Sequence, residues 1–318
     1  MLKELKFVQG AVAKKDFLPA MTHFAIEGGR VRAYNGVIAL SSPLPFDIDC
    51  VPKAEPLVKA ISNCHETVTL SMTPAGKLRI QSGKFRAFVD CIDEATAHVE
   101  PEGQEVEING EAMLQALKII QPFIGNDASR PWTNGVLLRG QSAFATNNVV
   151  LMEYWVGATF PFTANVPRVA IKEMLRINEA PTHAQLSENS ITFHYSDGRW
   201  VRSQLYETGW PDLSKVLDRK SDPVAVDDRI FEALATLKPF SDKLGRVIID
   251  DGVLSTSTEA DKEGASYEIP GLPFAGIYQL EMLNLLKGVA THADFTLYPE
   301  PCMFFGDRLR GAIIGMRA

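Results

Sequence analysis

Apolar and polar positions follow two rhythms along this chain, and the rhythms alternate in the same order three times. Leu5, Val8 and Val12, then Met113, Leu117 and Ile120, then Ile230, Leu234 and Leu237 recur at three- and four-residue spacing. That spacing puts them on one helical face. It predicts helices in LKELKFVQGAVA from Leu2, EAMLQALKIIQPF from Glu111 and DRIFEALATLKPF from Asp228. After each comes a stretch of alternating residues broken by polar turns: FAIEGGRVRAYNGVIALSS from Phe24, GVLLRGQSAFATNNVVLMEYW from Gly135, and GRVIIDDGVLSTSTEADKEGASYEI from Gly245. Each predicts three strands. Gly28-Gly29, Asn35-Gly36, Asn147-Asn148 and Asp251-Gly252 are turn pairs that tolerate positive φ.

A second helix is expected each time, in VPKAEPLVKAIS from Val51, VPRVAIKEMLRIN from Val166 and YQLEMLNLLKGV from Tyr278. Three more strands close each unit, starting from Val68, Ala184 and Ala293. Their turns fall at Pro74-Ala75-Gly76 and Ser82-Gly83, at Glu188-Asn189 and Asp197-Gly198, and at Pro299-Glu300 and Gly306-Asp307. One order of elements repeated over 318 residues gives units of roughly 106 residues each. The fold class is α+β. Polar stretches near His98–Gly103 and Leu217–Pro223 are the expected linkers, so the domains are set at residues 1–101, 102–220 and 221–318.

Composition narrows the function by exclusion. Apolar residues make up 46%, enough for several cores, yet no run approaches the length of a membrane span. The start, MLKELKFVQG, lacks an apolar signal region, which points to the cytoplasm. Cys50, Cys64, Cys91 and Cys302 are too scattered for a zinc ribbon or redox pair, and Cys64-His65-Glu66 is only a run of neighbours. No glycine-rich phosphate loop and no nucleophile motif stands out, and Asp250-Asp251 falls at an expected hairpin turn. No catalytic residue, metal or cofactor is expected. The net charge of −7 disfavours a tight nonspecific nucleic-acid binder but allows a basic stripe on one face.

Four strings in order on this threefold repeat resemble the bacterial DNA sliding clamp, the beta subunit of DNA polymerase III. VQGAVAKKDFLPAM from Val8 resembles that family's first helix and exit, and MLQALKIIQPFIGNDASRPWTNG from Met113 the opening of its second domain. YETGWPDLSKVL from Tyr206 is similar to the end of that domain, and AIIGMRA to its C-terminal tail. The resemblance implies three repeated clamp domains, helices on the inner face and antiparallel sheets outside, closed head to tail as a homodimeric ring. It implies a non-catalytic processivity factor that encircles double-stranded DNA without reading sequence. DNA polymerase and clamp loader would dock through short peptide motifs, with no membrane partner. The family's strand before the first helix is lacking here, Val149-Val150 replaces its His-Arg pair, and Gly315 replaces its tail proline. These departures and the chain's length point to a divergent or phage-borne member. A non-ring module, or a decoy for clamp-binding peptides, is the alternative.

The resemblance directs attention to two residue sets. Cations spaced along helices would meet phosphates. Arg168, Lys172 and Arg176 fall at i, i+4 and i+8 on one face, with Glu173 expected to point elsewhere. Lys3 and Lys6 pair on the first helix, Lys14 and Lys15 lie in its exit, and Lys118 stands alone, as do Lys59, Arg229 and Lys287. The implied peptide pocket comprises Thr133, Thr146, Val149, Val150 and Leu151, then Pro211, Lys215 and Val216, then Ile314, Gly315, Met316 and Arg317. Aliphatic residues with a flexible methionine suit an adaptable socket.

Overall fold

The structure, a computed structural model, describes residues 1–15, 18–93, 96–257 and 263–317. Parts of the first exit loop, the first linker and the third repeat's strand stretch, at 16–17, 94–95 and 258–262, lie outside the described residues, as does Ala318.

The first repeat contains α1 (Leu2–Val8), β1 (Ala25–Glu27), β2 (Arg30–Tyr34), β3 (Ile38–Pro43), α2 (Ala54–Ser62), β4 (Thr69–Met72), β5 (Lys77–Ser82) and β6 (Phe85–Asp90). The second contains β7 (Gln104–Glu107), α3 (Gly110–Ile120), β8 (Gly135–Arg139), β9 (Ser142–Thr146), β10 (Val150–Trp155), β11 (Thr163–Pro167), α4 (Arg168–Ile177), β12 (His183–Leu186), β13 (Ser190–His194) and β14 (Trp200–Gln204). After the short helix α5 (Ser214–Leu217) the third repeat runs through β15 (Val224–Ala225), α6 (Arg229–Leu237), β16 (Arg246–Asp250), β17 (Val253–Ser255), β18 (Ser266–Glu268), β19 (Gly276–Gln279), α7 (Leu280–Asn284), β20 (His292–Asp294), β21 (Cys302–Gly306) and β22 (Leu309–Ile313).

The expected helices form, with ends set by local chemistry. Each opening helix tightens into a short 3-10 turn, at Gln9–Ala11, Gln121–Phe123 and Lys238–Phe240. Pro122 and Pro239 sit in two of these turns, where proline cannot extend an α-helix. The second helices start later than the sequence suggests. Val166 and Pro167 belong to β11, and Tyr278 and Gln279 to β19. Pro167 is tolerated there because β11 is an edge strand. α7 stops at Asn284 and gives way to a turn containing Gly288 at φ 69°. Of the helical-face positions expected in the core, Val12 is only half-buried, and the rest are buried.

The chain divides into two compact units, residues 1–114 with 169–205, and residues 115–168 with 206–318. In unit 1 a seven-stranded antiparallel sheet has the order β1-β2-β3-β14-β13-β12-β7, and β4-β5-β6 form a separate three-stranded sheet. α1 packs on β2, β3 and α2; Leu5 and Val8 of α1, Leu57 and Ile61 of α2, and Val31 and Leu40 of the sheet are all buried. In unit 2 an eight-stranded sheet has the order β11-β8-β9-β10-β22-β21-β20-β15, and β18-β17-β16-β19 form a four-stranded sheet. α6 packs on α7 and buries Ile230, Leu234 and Leu237. Among the described residues no helix is long and apolar enough to cross a membrane.

One cross-strand pair makes the large sheet of unit 1 sensitive to pH. His183 on β12 faces His194 on β13, with ring centroids 4.5 Å apart and planes 2° from parallel. Burial, and then His183, hold the His194 pKa below the usual imidazole value; Glu105 opposes this and Arg30 adds to it. An unfolded histidine takes its proton near pH 6.5. The folded sheet takes it only at lower pH, so stability is complete above that value and declines as pH falls through it. Urea unfolding of the wild type should therefore weaken between pH 7.5 and pH 5.5 by more than that of His194→Gln; matching losses would show that the pair is not the cause.

Candidate functional site: a basic cleft and a pinned C-terminal tail

A cleft of about 670 Å³ in unit 1 gathers cations from four separate segments. α1 contributes Lys6, the loop after it Lys14, the residue capping α2 Lys53, α2 itself Lys59, and α4 Arg176; Glu55 and Glu173 are its acids. Gly10 lets the segments approach, since a Cβ there would overlap the Glu173 carboxylate. Both acids are occupied. Glu55 pairs with Lys59 at 2.7 Å, which lowers its pKa, and Glu173 pairs with Arg176 at 2.7 Å. Lys6, Lys14 and Lys53 have no carboxylate at ion-pair distance among the described residues, so the cleft carries a positive excess on an acidic chain.

The expected stripe on α4 is altered by this arrangement. Glu173 does not point elsewhere; the i, i+3 spacing lets it accept from Arg176, which also donates to the Phe7 carbonyl at 2.8 Å. Arg168 is half-buried with one guanidinium nitrogen 3.5 Å from the Gly125 carbonyl, whereas Lys172 is exposed. Lys3, Lys15 and Lys118 are exposed on α1, its exit loop and α3. The structure thus gathers Lys6, Lys14, Lys59 and Arg176, and adds Lys53, which lies in the segment expected as the second helix but stands at its cap.

The second residue set lies in unit 2, along the junction of β10 and β22. Val150 pairs with Ile313, Leu151 pairs with Ala312 and with Thr146, and the Ile314 amide donates to the Val149 carbonyl at 2.9 Å. Thr133, Thr146 and Val150 are buried. The threonine hydroxyls are spent on backbone, donating to the carbonyls of Arg130 and Val150, both at 2.9 Å. Leu151 is half-buried against a cluster of Leu137, Phe144, Trp210, Leu213 and Leu217. That contact brings α5 and the preceding segment, with exposed Pro211 and Lys215 and half-buried Val216, beside the sheet.

The tail is pinned beyond β22. The Met316 amide donates to the Ile277 carbonyl at 2.6 Å, and its carbonyl accepts from the Tyr298 hydroxyl at 2.8 Å. A side chain on Gly315 would meet the Tyr298 ring, so glycine is required here. Arg317 is exposed. Ile277 escapes the sequence pattern because it acts through its backbone carbonyl, and Tyr298 because its hydroxyl meets a backbone carbonyl far along the chain. Leu244 is 58% exposed, Phe240 50% and Ile314 47%. Leu244 precedes β16, whose Arg246 faces Gln279 on the strand that holds Met316. An apolar residue in the polar turn Ser241-Asp242-Lys243-Leu244-Gly245 was the available signal for it.

Burial pushes the Cys50 thiol up to about 12 and raises those of Cys91 and Cys302, keeping all three protonated. Among the described residues no group of His, Cys, Asp and Glu could hold a metal ion.

No protein-family model and no curated protein matches the chain. Solved structures do. The DNA polymerase III subunit beta from Pseudomonas aeruginosa is similar at TM-score 0.84 and 19% identity, covering 100% of this chain and 97% of that one. A sliding clamp from Bartonella birtlesii bound to griselimycin matches at TM-score 0.84 and 16% identity, and the pol III beta of Caulobacter crescentus at 0.84 and 17%, each with the same coverage. The chain has the sliding-clamp fold.

Replacing Lys6, Lys14 and Lys53 together with glutamine should weaken duplex DNA binding while leaving the circular dichroism spectrum unchanged. Each phosphate contact contributes a slope of about −0.9 to log K against log salt, so the slope should shrink by about 2–3. An unchanged slope would show that the cleft does not meet DNA.

Proposed function

We propose that this protein is a sliding clamp, in which two copies close head to tail around duplex DNA and tether a replicative polymerase. The observation that carries this reading is a pair of matching strand edges. In unit 1 the hairpin strands end at β3, which joins β14; in unit 2 the equivalent β10 joins β22. The third repeat's counterpart of β3 and β10 is β18, and the first repeat's counterpart of β14 and β22 is β6. Among the described residues no strand pairs the outer edge of β18, and the outer edge of β6 is met only at its end, where the Asp90 carbonyl accepts the Lys53 amide at 2.9 Å. The four-stranded and three-stranded sheets are therefore the two halves of a larger sheet that a second chain completes.

The chemistry of the edges suits such a joint. β6 begins beside Lys84 and carries Arg86 and the 55% exposed Phe88, while β18 carries Glu268 and is preceded by Glu263. Opposite charges fix register, and pairing covers backbone groups that otherwise invite aggregation. Inside the ring, Lys6, Lys14, Lys53, Lys172 and their neighbours would meet phosphates transiently, as sliding requires. Polymerase and clamp loader would each insert a short peptide along the β10–β22 junction, using Leu151, Val216, Ile314 and Met316, with Lys215 and Arg317 at the rim. Domain limits at 1–101, 102–220 and 221–318 accompany this reading.

One observation favours the non-ring alternative. β7 and β15 cover the outer edges of β12 and β20, whereas β4 has no such neighbour among the described residues. Light scattering separates the two readings. A clamp should have the mass of two chains at micromolar concentration and, once loaded, stay on circular but not linear DNA. A monomer that binds clamp-directed peptides would overturn the ring. Lys84→Glu with Arg86→Glu should weaken the dimer by about 1 kcal/mol or more, through like charges set against Glu263 and Glu268. Glu263→Lys with Glu268→Lys on the partner edge should restore it.

The tail offers a separate test. Deleting residues 315–318 should abolish polymerase stimulation. Because Met316 is held by Ile277 and Tyr298, the deletion should also lower stability by about 1–2 kcal/mol, one or two hydrogen bonds' worth. Met316→Ala keeps those backbone bonds and should weaken peptide binding alone. Equal peptide affinity in all three proteins would remove the tail from the pocket.

A further inference from the structure

The segments that converge on the basic cleft of unit 1 are each held where they stand. Lys53 is rooted in an extended stretch gripped on both sides. Its amide donates to the Asp90 carbonyl at 2.9 Å, and on the other side it bridges to His23. The loop of Lys14 is tied at Ala13, whose amide donates to the Met21 carbonyl at 2.9 Å. Lys6 stands on α1, whose Phe7 carbonyl accepts from Arg176 at 2.8 Å. Glu173 fixes the same guanidinium a second time at 2.7 Å. The roots of the cations are therefore set before any ligand arrives, which lowers the cost of binding one.

Shape narrows what such a cleft can take in. Its volume of about 670 Å³ is that of a small-ligand pocket, commonly about 300–1,000 Å³. A duplex is a rigid rod with grooves only about 6–12 Å wide, so it rests across the mouth of such a cavity without entering it. A compact polyanion enters. Lys6, Lys14 and Lys53 line the cavity and have no carboxylate at ion-pair distance among the described residues. The lining acids Glu55 and Glu173 are each bound to a cation of their own helix, which leaves neither free to repel phosphate or to hold Mg2+. Val12, Ala13 and Val58 line the same cavity and give it an apolar wall.

We propose that this cleft binds a nucleoside triphosphate without a metal ion, its phosphates against Lys6, Lys14 and Lys53 and its base against the wall of Val12 and Val58. Linked phosphates concentrate charge in one place, so several lysines act on one molecule. Lysines are point charges on flexible stems, which suits a phosphate chain of no fixed geometry. The ligand shares its cations with duplex DNA, so a bound triphosphate holds duplex away from this face. That last consequence rests on the reading of the protein as a clamp, whereas the binding itself does not.

The test is calorimetry on the full-length protein at low salt in EDTA, with dTTP, inorganic triphosphate and thymidine as probes. dTTP should bind with Kd near or below about 1 mM. Inorganic triphosphate should bind more weakly for want of the base, and thymidine should give no saturable heat. Excess Mg2+ should weaken dTTP, because it neutralises the phosphate charge that the lysines meet. Lys6→Gln with Lys53→Gln should weaken dTTP by at least about tenfold, through the loss of two charge-assisted contacts. Lys220→Gln with Lys243→Gln removes the same charge from exposed positions outside the lining and should leave Kd unchanged. The absence of saturable dTTP heat in the wild type would overturn the site, as would equal weakening by the two double variants. Inorganic triphosphate binding as tightly as dTTP would overturn the nucleoside assignment. The titrations contain no DNA, so this proposal and the duplex reading of the cleft fail separately. The first result is read on the wild type and does not rest on any variant folding.

Discussion

The structure is governed by the need to pair strand edges. Every repeat presents two of them, one at the end of its first set of strands and one at the end of its last. Backbone N–H and C=O groups left unpaired at an edge remain open to any extended chain. Within one chain the demand is met twice, where β3 meets β14 and where β10 meets β22. Among the described residues no strand meets it at β18, and at β6 only the Asp90 carbonyl is taken, by the Lys53 amide. Three repeats joined in series leave one edge of each kind, and these are the edges that the proposed ring would pair.

Charge is arranged under a related constraint. A chain with net charge −7 attracts a polyanion only where its cations are gathered and its acids neutralised. In the basic cleft Glu55 and Glu173 are each bound to a cation of their own helix, which leaves Lys6, Lys14 and Lys53 to set the local field. The paired arginine has structural work as well, since Arg176 ties α4 to the Phe7 carbonyl. Lys6, Lys14 and Lys53, which meet no carboxylate among the described residues, have long, hydrated side chains. They are suited to phosphate contacts that form and break without fixing a register.

What could be read from the sequence was local. Period and turn chemistry located the opening helices, the hairpins and the turns at Asn35-Gly36 and Asn147-Asn148, because each depends on residues a few positions apart. The implied pocket positions Leu151, Val216 and Ile314 do fall along one junction of unit 2. The pairing of β14 with β3, across some 160 residues of chain, carries no such signature. The same limit hid Glu173, whose acceptance from Arg176 depends on a rotamer as well as on spacing. It hid Tyr298, which reaches the tail only after β21 and β22 have folded. Val166-Pro167 read as a helix start because proline is common there, but its partner Gly135 makes it the end of an edge strand.

The C-terminal tail shows how closely the proposed activities are joined. The four-stranded sheet β18-β17-β16-β19 is bounded by two edges with different occupants. The Met316 amide takes a carbonyl of β19, so the tail lies along that edge, while β18 on the opposite side is the edge that a second chain would pair in the proposed ring. Neighbouring strands share hydrogen bonds, and their twist is a property of the whole sheet. The tail can hold a pocket only while β19 keeps its place beside β16, and β16 keeps its place through β17. The pocket and the joint are thus read from one ladder. This is why a terminal methionine, which water would ordinarily leave frayed, is held here by both a strand carbonyl and a tyrosine hydroxyl.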